Sequence, residues 1–67
     1  MAMFRVTVHL SDGGQAEFQE EANAATLIDS RLTNELTVPD PRFKVNSKLA
    51  IVNVARDRVI GWTIEQA

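Results

Sequence analysis

The sequence predicts an α+β domain of order ββαβββ, with a curved or partly closed antiparallel sheet and one packed helix. Three observations carry this. Apolar and polar residues alternate near the N-terminus and again after Pro41, the period of half-buried strands. Between those regions the apolar spacing lengthens to three and four, the period of a helix. The chain has 67 residues, room for one core, so residues 1–67 are read as a single domain.

The first strand is read from Phe4, Val6, Val8 and Leu10 on one face and Arg5, Thr7 and His9 on the other. Ser11-Asp12-Gly13-Gly14 follows, and its glycines can adopt the positive φ that a hairpin turn demands. Gln15 to Glu20 returns as a second strand, with Ala16 and Phe18 inward. Asn23 is a candidate helix cap, because its side-chain oxygen can accept a first-turn N–H. Ala25, Ile28, Leu32 and Leu36 then form one stripe, which predicts an amphipathic helix over about Ala24 to Glu35. Glu20-Glu21 at its entry is read as negative charge favourable near a helix N-terminus. Pro39 and Pro41 end the helix, since each lacks an N–H and restricts its predecessor.

Phe43 and Val45 alternate with Arg42, Lys44 and Asn46 in a third strand, and Asn46-Ser47 marks a turn. Lys48 to Ala55 is apolar on both faces, the pattern of a central strand. Arg56-Asp57-Arg58 is a tight connection, and Val59 to Glu65 alternates again, with Ile60, Trp62 and Ile64 sharing a face. One short helix cannot cover all of this apolar β surface. Self-association or a protein partner is the expected remedy.

Composition narrows the function classes. With no cysteine there is no disulfide, thiol nucleophile or cysteine-held zinc, and one histidine builds no all-histidine metal site. His9, Ser11 and Asp12 are sequence neighbours and make no triad, because adjacent strand residues point to opposite faces. Asp12, Asp40 and Asp57 sit in turns and match no metal-binding loop, and Gly13-Gly14 joins two strands, so it is no phosphate cradle. No cofactor, no metal and no enzymatic activity are expected. The longest apolar run, Leu49 to Val54 interrupted by Asn53, is far below the roughly 20 residues of a membrane span. No basic-then-apolar leader is visible, so the expected compartment is the cytoplasm.

Charge is uneven: residues 1–41 carry two basic and seven acidic side chains, and residues 42–67 carry five basic and two acidic ones. Such asymmetry can steer partners or neighbouring copies. Arg42, Lys44, Arg56, Arg58 and Trp62 are therefore the candidate interface residues. Arg42, Lys44, Lys48, Arg56 and Arg58, with Phe43 and Trp62 as stacking platforms, define the alternative of a nucleic-acid binder. Two features oppose that alternative: both aromatics follow a core pattern, and the formal net charge is −2. A ubiquitin-like carrier would share the order of elements, but Glu65-Gln66-Ala67 lacks a terminal diglycine.

Ile51-Val52-Asn53-Val54 followed by Val59-Ile60-Gly61-Trp62-Thr63-Ile64-Glu65 resembles the closing hairpin of short phage-encoded and bacterial accessory proteins. The resemblance implies a small accessory or regulatory binding protein and assigns no active residues. The expected function is protein–protein interaction without turnover, through a sheet edge or an uncovered sheet face, with the chain self-associating into a homo-oligomer.

Overall fold

Hydrophobic period and turn chemistry set the element boundaries. The structure, a computed structural model, describes residues 1–46 and 51–67. In chain order the elements are β1 (Ala2–Leu10), β2 (Gln15–Ala22), α1 (Ala25–Thr37), β3 (Arg42–Asn46), β4 (Ile51–Ala55), a 3-10 turn (Arg56–Arg58) and β5 (Val59–Gln66). This is the α+β class in the predicted ββαβββ order. The strands divide between two antiparallel sheets: β2-β1-β5, with β1 in the middle, and β3-β4.

The β1–β2 hairpin closes as its residues dictate. Gly13 takes φ 86°, in the region that favours glycine. The Asp12 carboxylate accepts the Gly14 N–H at 2.9 Å, and the Leu10 N–H reaches the Gly14 carbonyl at 3.0 Å. The register then runs from His9 opposite Gln15 to Ala2 opposite Ala22. Phe4, Val6, Val8 and Phe18 are thereby placed on one buried face.

In α1 the predicted stripe faces inward: Ile28 and Leu32 are buried, and Ala25 and Leu36 pack at the margins of the same core. The N-terminus differs from expectation. The cap position is Ala24, with no side-chain cap bond, so Asn23 lies one residue too early to serve. Glu20 and Glu21 belong to β2, and the first helical turn holds no acid. Glu20 instead pairs with Arg31, whose guanidinium also donates to the Asn46 carbonyl. One side chain of α1 thus bridges the end of β2 to the end of β3.

Val6, Val8, Leu32 and Phe43 are the innermost side chains, and Val45 and Val52 close the core from the second sheet. β3 and β4 therefore cover part of the apolar surface that sequence reasoning assigned to a partner. β4 is not a central strand: among the described residues it pairs with β3 alone, and Ile51 is 74% exposed. Residues 48–50 and the turn at Ser47 lie outside the described residues.

A second departure occurs in β5. His9 faces Gly61 but Leu10 faces Val59, so Ile60 is an extra, bulged residue. The bulge breaks the alternation. Val59, Trp62 and Ile64 pack against the core, whereas Ile60 is turned out and 69% exposed. No helix among the described residues is long and apolar enough to cross a membrane.

Candidate functional site

The alternation of β3 decides what it shows to solvent. Phe43 and Val45 point into the core, so Arg42, Lys44 and Asn46 point away from it. Antiparallel pairing sets Arg42 opposite Ala55, Lys44 opposite Asn53 and Asn46 opposite Ile51, and directly opposed residues share a face. The outer face of this hairpin is therefore Arg42, Lys44 and Asn46 beside Ile51, Asn53 and Ala55.

Hydrogen bonds lay Arg42 across that face. Its Nε donates to Asn53 Oδ1 at 2.9 Å and its Nη2 to the Asn53 carbonyl at 3.2 Å. Its backbone N–H donates to Asp40 Oδ1 at 2.9 Å, which starts the strand after Pro41. Lys44 is exposed beside it. Arg56 flanks the end of the hairpin: its backbone N–H donates to the Pro41 carbonyl at 3.0 Å and its guanidinium to the Val38 carbonyl. Among the described residues none of these three cations is in ion-pair contact with a carboxylate. The face is a short two-stranded platform that carries Arg42, Lys44 and one exposed isoleucine, Ile51.

The two remaining candidate residues lie elsewhere. Arg58 pairs with Asp12, and its carbonyl accepts the Ser11 N–H at 2.7 Å, which fastens the 3-10 turn to the β1–β2 turn. Trp62 is half-buried on the inner side of β5. Its ring stacks on Phe43 with centroids 6.2 Å apart and planes 21° apart, within the range of favourable aromatic pairs. Its indole N–H donates to Asp29 Oδ1 at 2.9 Å, so the polar edge is satisfied by α1. Phe43 itself is fully buried. Neither ring stands on the basic face, where a stacked base would need it.

The outer face of the other sheet is polar apart from Met3 at one end. Arg5, Thr7 and His9 run along its middle strand, flanked by Gln15, Glu17, Gln19 and Glu21 on β2 and by Thr63 and Glu65 on β5. Arg5 Nε lies 3.7 Å from Glu17 Oε1, an exposed pair of the kind worth at most about 1 kcal/mol. His9 Nε2 is 2.8 Å from Thr63 Oγ1, a cross-strand hydrogen bond on an open face. An open groove of about 270 Å³ lies between the end of β2 and α1, lined by Met1, Glu20, Glu21, Leu27, Ile28 and Arg31. Its Glu20 and Arg31 are committed to each other.

No protein-family model, curated protein or solved structure matches the chain. The two segments that resemble a closing hairpin, Ile51–Val54 and Val59–Glu65, are not paired with each other. The first lies in the β3-β4 sheet and the second in the β2-β1-β5 sheet. Charge asymmetry named Arg42 and Lys44 as candidates, and alternation with Phe43 and Val45 puts both on one face. Sequence reasoning missed that Ile51 and Asn53 share their face, because strand pairing depends on a register that alternation does not encode.

Proposed function

We propose that this chain is a non-enzymatic binding module that acts by protein–protein contact and associates with itself, and that the outer face of β3–β4 is its contact surface. One observation carries the reading: Ile51, 74% exposed, sits on a platform with Arg42 and Lys44, neither of which is in ion-pair contact with a carboxylate among the described residues. An exposed apolar residue at one end of a positively charged face suits an acidic protein surface. The platform is firm, because Phe43 and Val45 anchor β3 from below. The exposed cations Arg42 and Lys44 also favour a second reading, phosphate contact with nucleic acid. Against it stand the inward positions of Phe43 and Trp62.

The test is charge removal. Each exposed ion pair contributes up to about 1 kcal/mol, so Arg42→Gln/Lys44→Gln is expected to weaken self-association roughly tenfold by sedimentation velocity. The variant should keep the far-ultraviolet dichroism of the parent, since both side chains point to solvent. Self-association of unchanged strength in the double variant would refute the assignment of this face.

A further inference from the structure

The two sheets contribute their inner faces to one core, so their outer faces look away from that core. They differ in charge. On the β2-β1-β5 sheet Glu17, Glu21 and Glu65 are exposed, and among the described residues of that face Arg5, 3.7 Å from Glu17, carries the opposing charge. Glu17 lies opposite Thr7, Glu21 opposite Met3 and Glu65 opposite Arg5, so the carboxylates flank the middle strand from both sides. On the β3-β4 sheet Arg42 and Lys44 carry positive charge and the six face residues include no acid; at one end Arg56 adds a positive charge and Asp40, which holds the Arg42 N–H, a negative one.

Size permits the two to meet. At roughly 3.3 Å per residue and 4.8 Å between strands, a face of two five-residue strands spans on the order of 17 by 10 Å. The three-stranded face is wider by a strand and longer by about three residues, so the smaller face fits within its outline. From this complementarity we infer that the occupant of the β3–β4 face is a second copy of the chain, which presents the Glu17–Glu21–Glu65 face of its three-stranded sheet. The inference rests on the proposed function and names the partner surface.

Because the two surfaces differ, the contact is heterologous. A pair of copies retains one free basic face and one free acidic face, so association continues into a ring or an open chain and does not stop at a symmetric dimer. A patch this small falls below the usual area of stable complexes, so the assembly is weak, concentration-dependent and weakened by salt. Ile51 supplies the apolar contact at the edge of the charged pairing, opposite Asn46.

A charge-swap experiment tests this by sedimentation velocity at low salt. Arg42→Glu/Lys44→Glu makes the basic face acidic, and Glu17→Lys/Glu65→Lys makes the acidic face basic. Each variant alone is expected to lose association at least tenfold. An equimolar mixture is expected to recover it, because the intact acidic face of the first variant meets the intact basic face of the second. Parental association by Glu17→Lys/Glu65→Lys, with loss in the other variant, would overturn this inference and leave the β3–β4 assignment standing. Absence of recovery in the mixture, with both variants folded, would also overturn it. A parent chain that stays monomeric at every concentration would overturn both this inference and the self-association it rests on. The same holds if that monomer instead binds a single-stranded or duplex oligonucleotide. Should a charge reversal unfold the chain, the neutral pairs Arg42→Gln/Lys44→Gln and Glu17→Gln/Glu65→Gln give the same single-variant test, each expected to weaken association.

Discussion

Phe43→Ala is expected to lower the unfolding free energy by about 3–5 kcal/mol, the usual cost of removing a fully buried aromatic ring. Phe43 is 0% exposed, is among the largest fully buried side chains, and joins the β3–β4 sheet to Trp62 on β5. Removing it leaves a cavity between two sheets that no strand-to-strand ladder connects among the described residues. Stabilities of small domains lie near the low end of about 5–15 kcal/mol, so much of the population should unfold in mild urea. Its neighbour Lys44 gives the contrast. Lys44→Gln, one position along the same strand but on its outer face, should change stability by less than about 0.5 kcal/mol. Urea titration followed by Trp62 fluorescence measures both. A cost below about 1 kcal/mol for Phe43→Ala would mean that the second sheet is not fixed through this ring.

Leu32→Ala is expected to cost about 2–5 kcal/mol, because Leu32 is fully buried where α1 meets the core. The helix has little else to hold it: no side-chain cap, no acid in its first turn and no base in its last. Its docking therefore depends on Ile28 and Leu32, on the Trp62–Asp29 hydrogen bond and on the Arg31 contacts. Leu27, five residues earlier and 56% exposed, should tolerate alanine within about 0.5 kcal/mol. Thermal unfolding followed by helical dichroism distinguishes the two substitutions. Equal effects would contradict the inward placement of the stripe.

What local pattern encodes was legible in the sequence. Phe4, Val6 and Val8 state a strand and its buried face within five residues, and Ile28 and Leu32 do the same for α1. Gly13-Gly14 states the turn between β1 and β2, because few other residues reach its geometry. What depends on distant partners was not legible. Ile60 has the spacing of a core residue, and only the register of β5 against β1 shows that it is bulged outward. The apolar character of β4 suggests a strand flanked on both sides, yet its one partner among the described residues is β3.

The candidate surface follows the same division. Arg42 and Lys44 were named with the other cations of the basic C-terminal half, and alternation with Phe43 and Val45 sets them on one outer face. Arg58 and Trp62 share the C-terminal half with them but not their face. One is held by Asp12 and the other by Phe43 and Asp29. Charge counted along the chain cannot separate these cases, because contact with Asp12 or Asp29 spans 46 or 33 positions and leaves no local trace. The acidic face was hidden for the same reason: Glu17 and Glu65 come together only when β2 and β5 take opposite sides of β1.

The central claim is that copies of this chain meet through oppositely charged sheet faces. Its most direct measurement is the solution mass of the parent chain, by light scattering on a size-exclusion column at low and at high salt over a range of loading concentrations. Exposed charges are screened beyond about 10 Å at 0.1 M salt and about 3 Å at 1 M. The predicted result is a mass above that of one chain at low salt, rising with concentration and falling to the monomer at high salt. A mass of one chain at both salts and every concentration would contradict the claim.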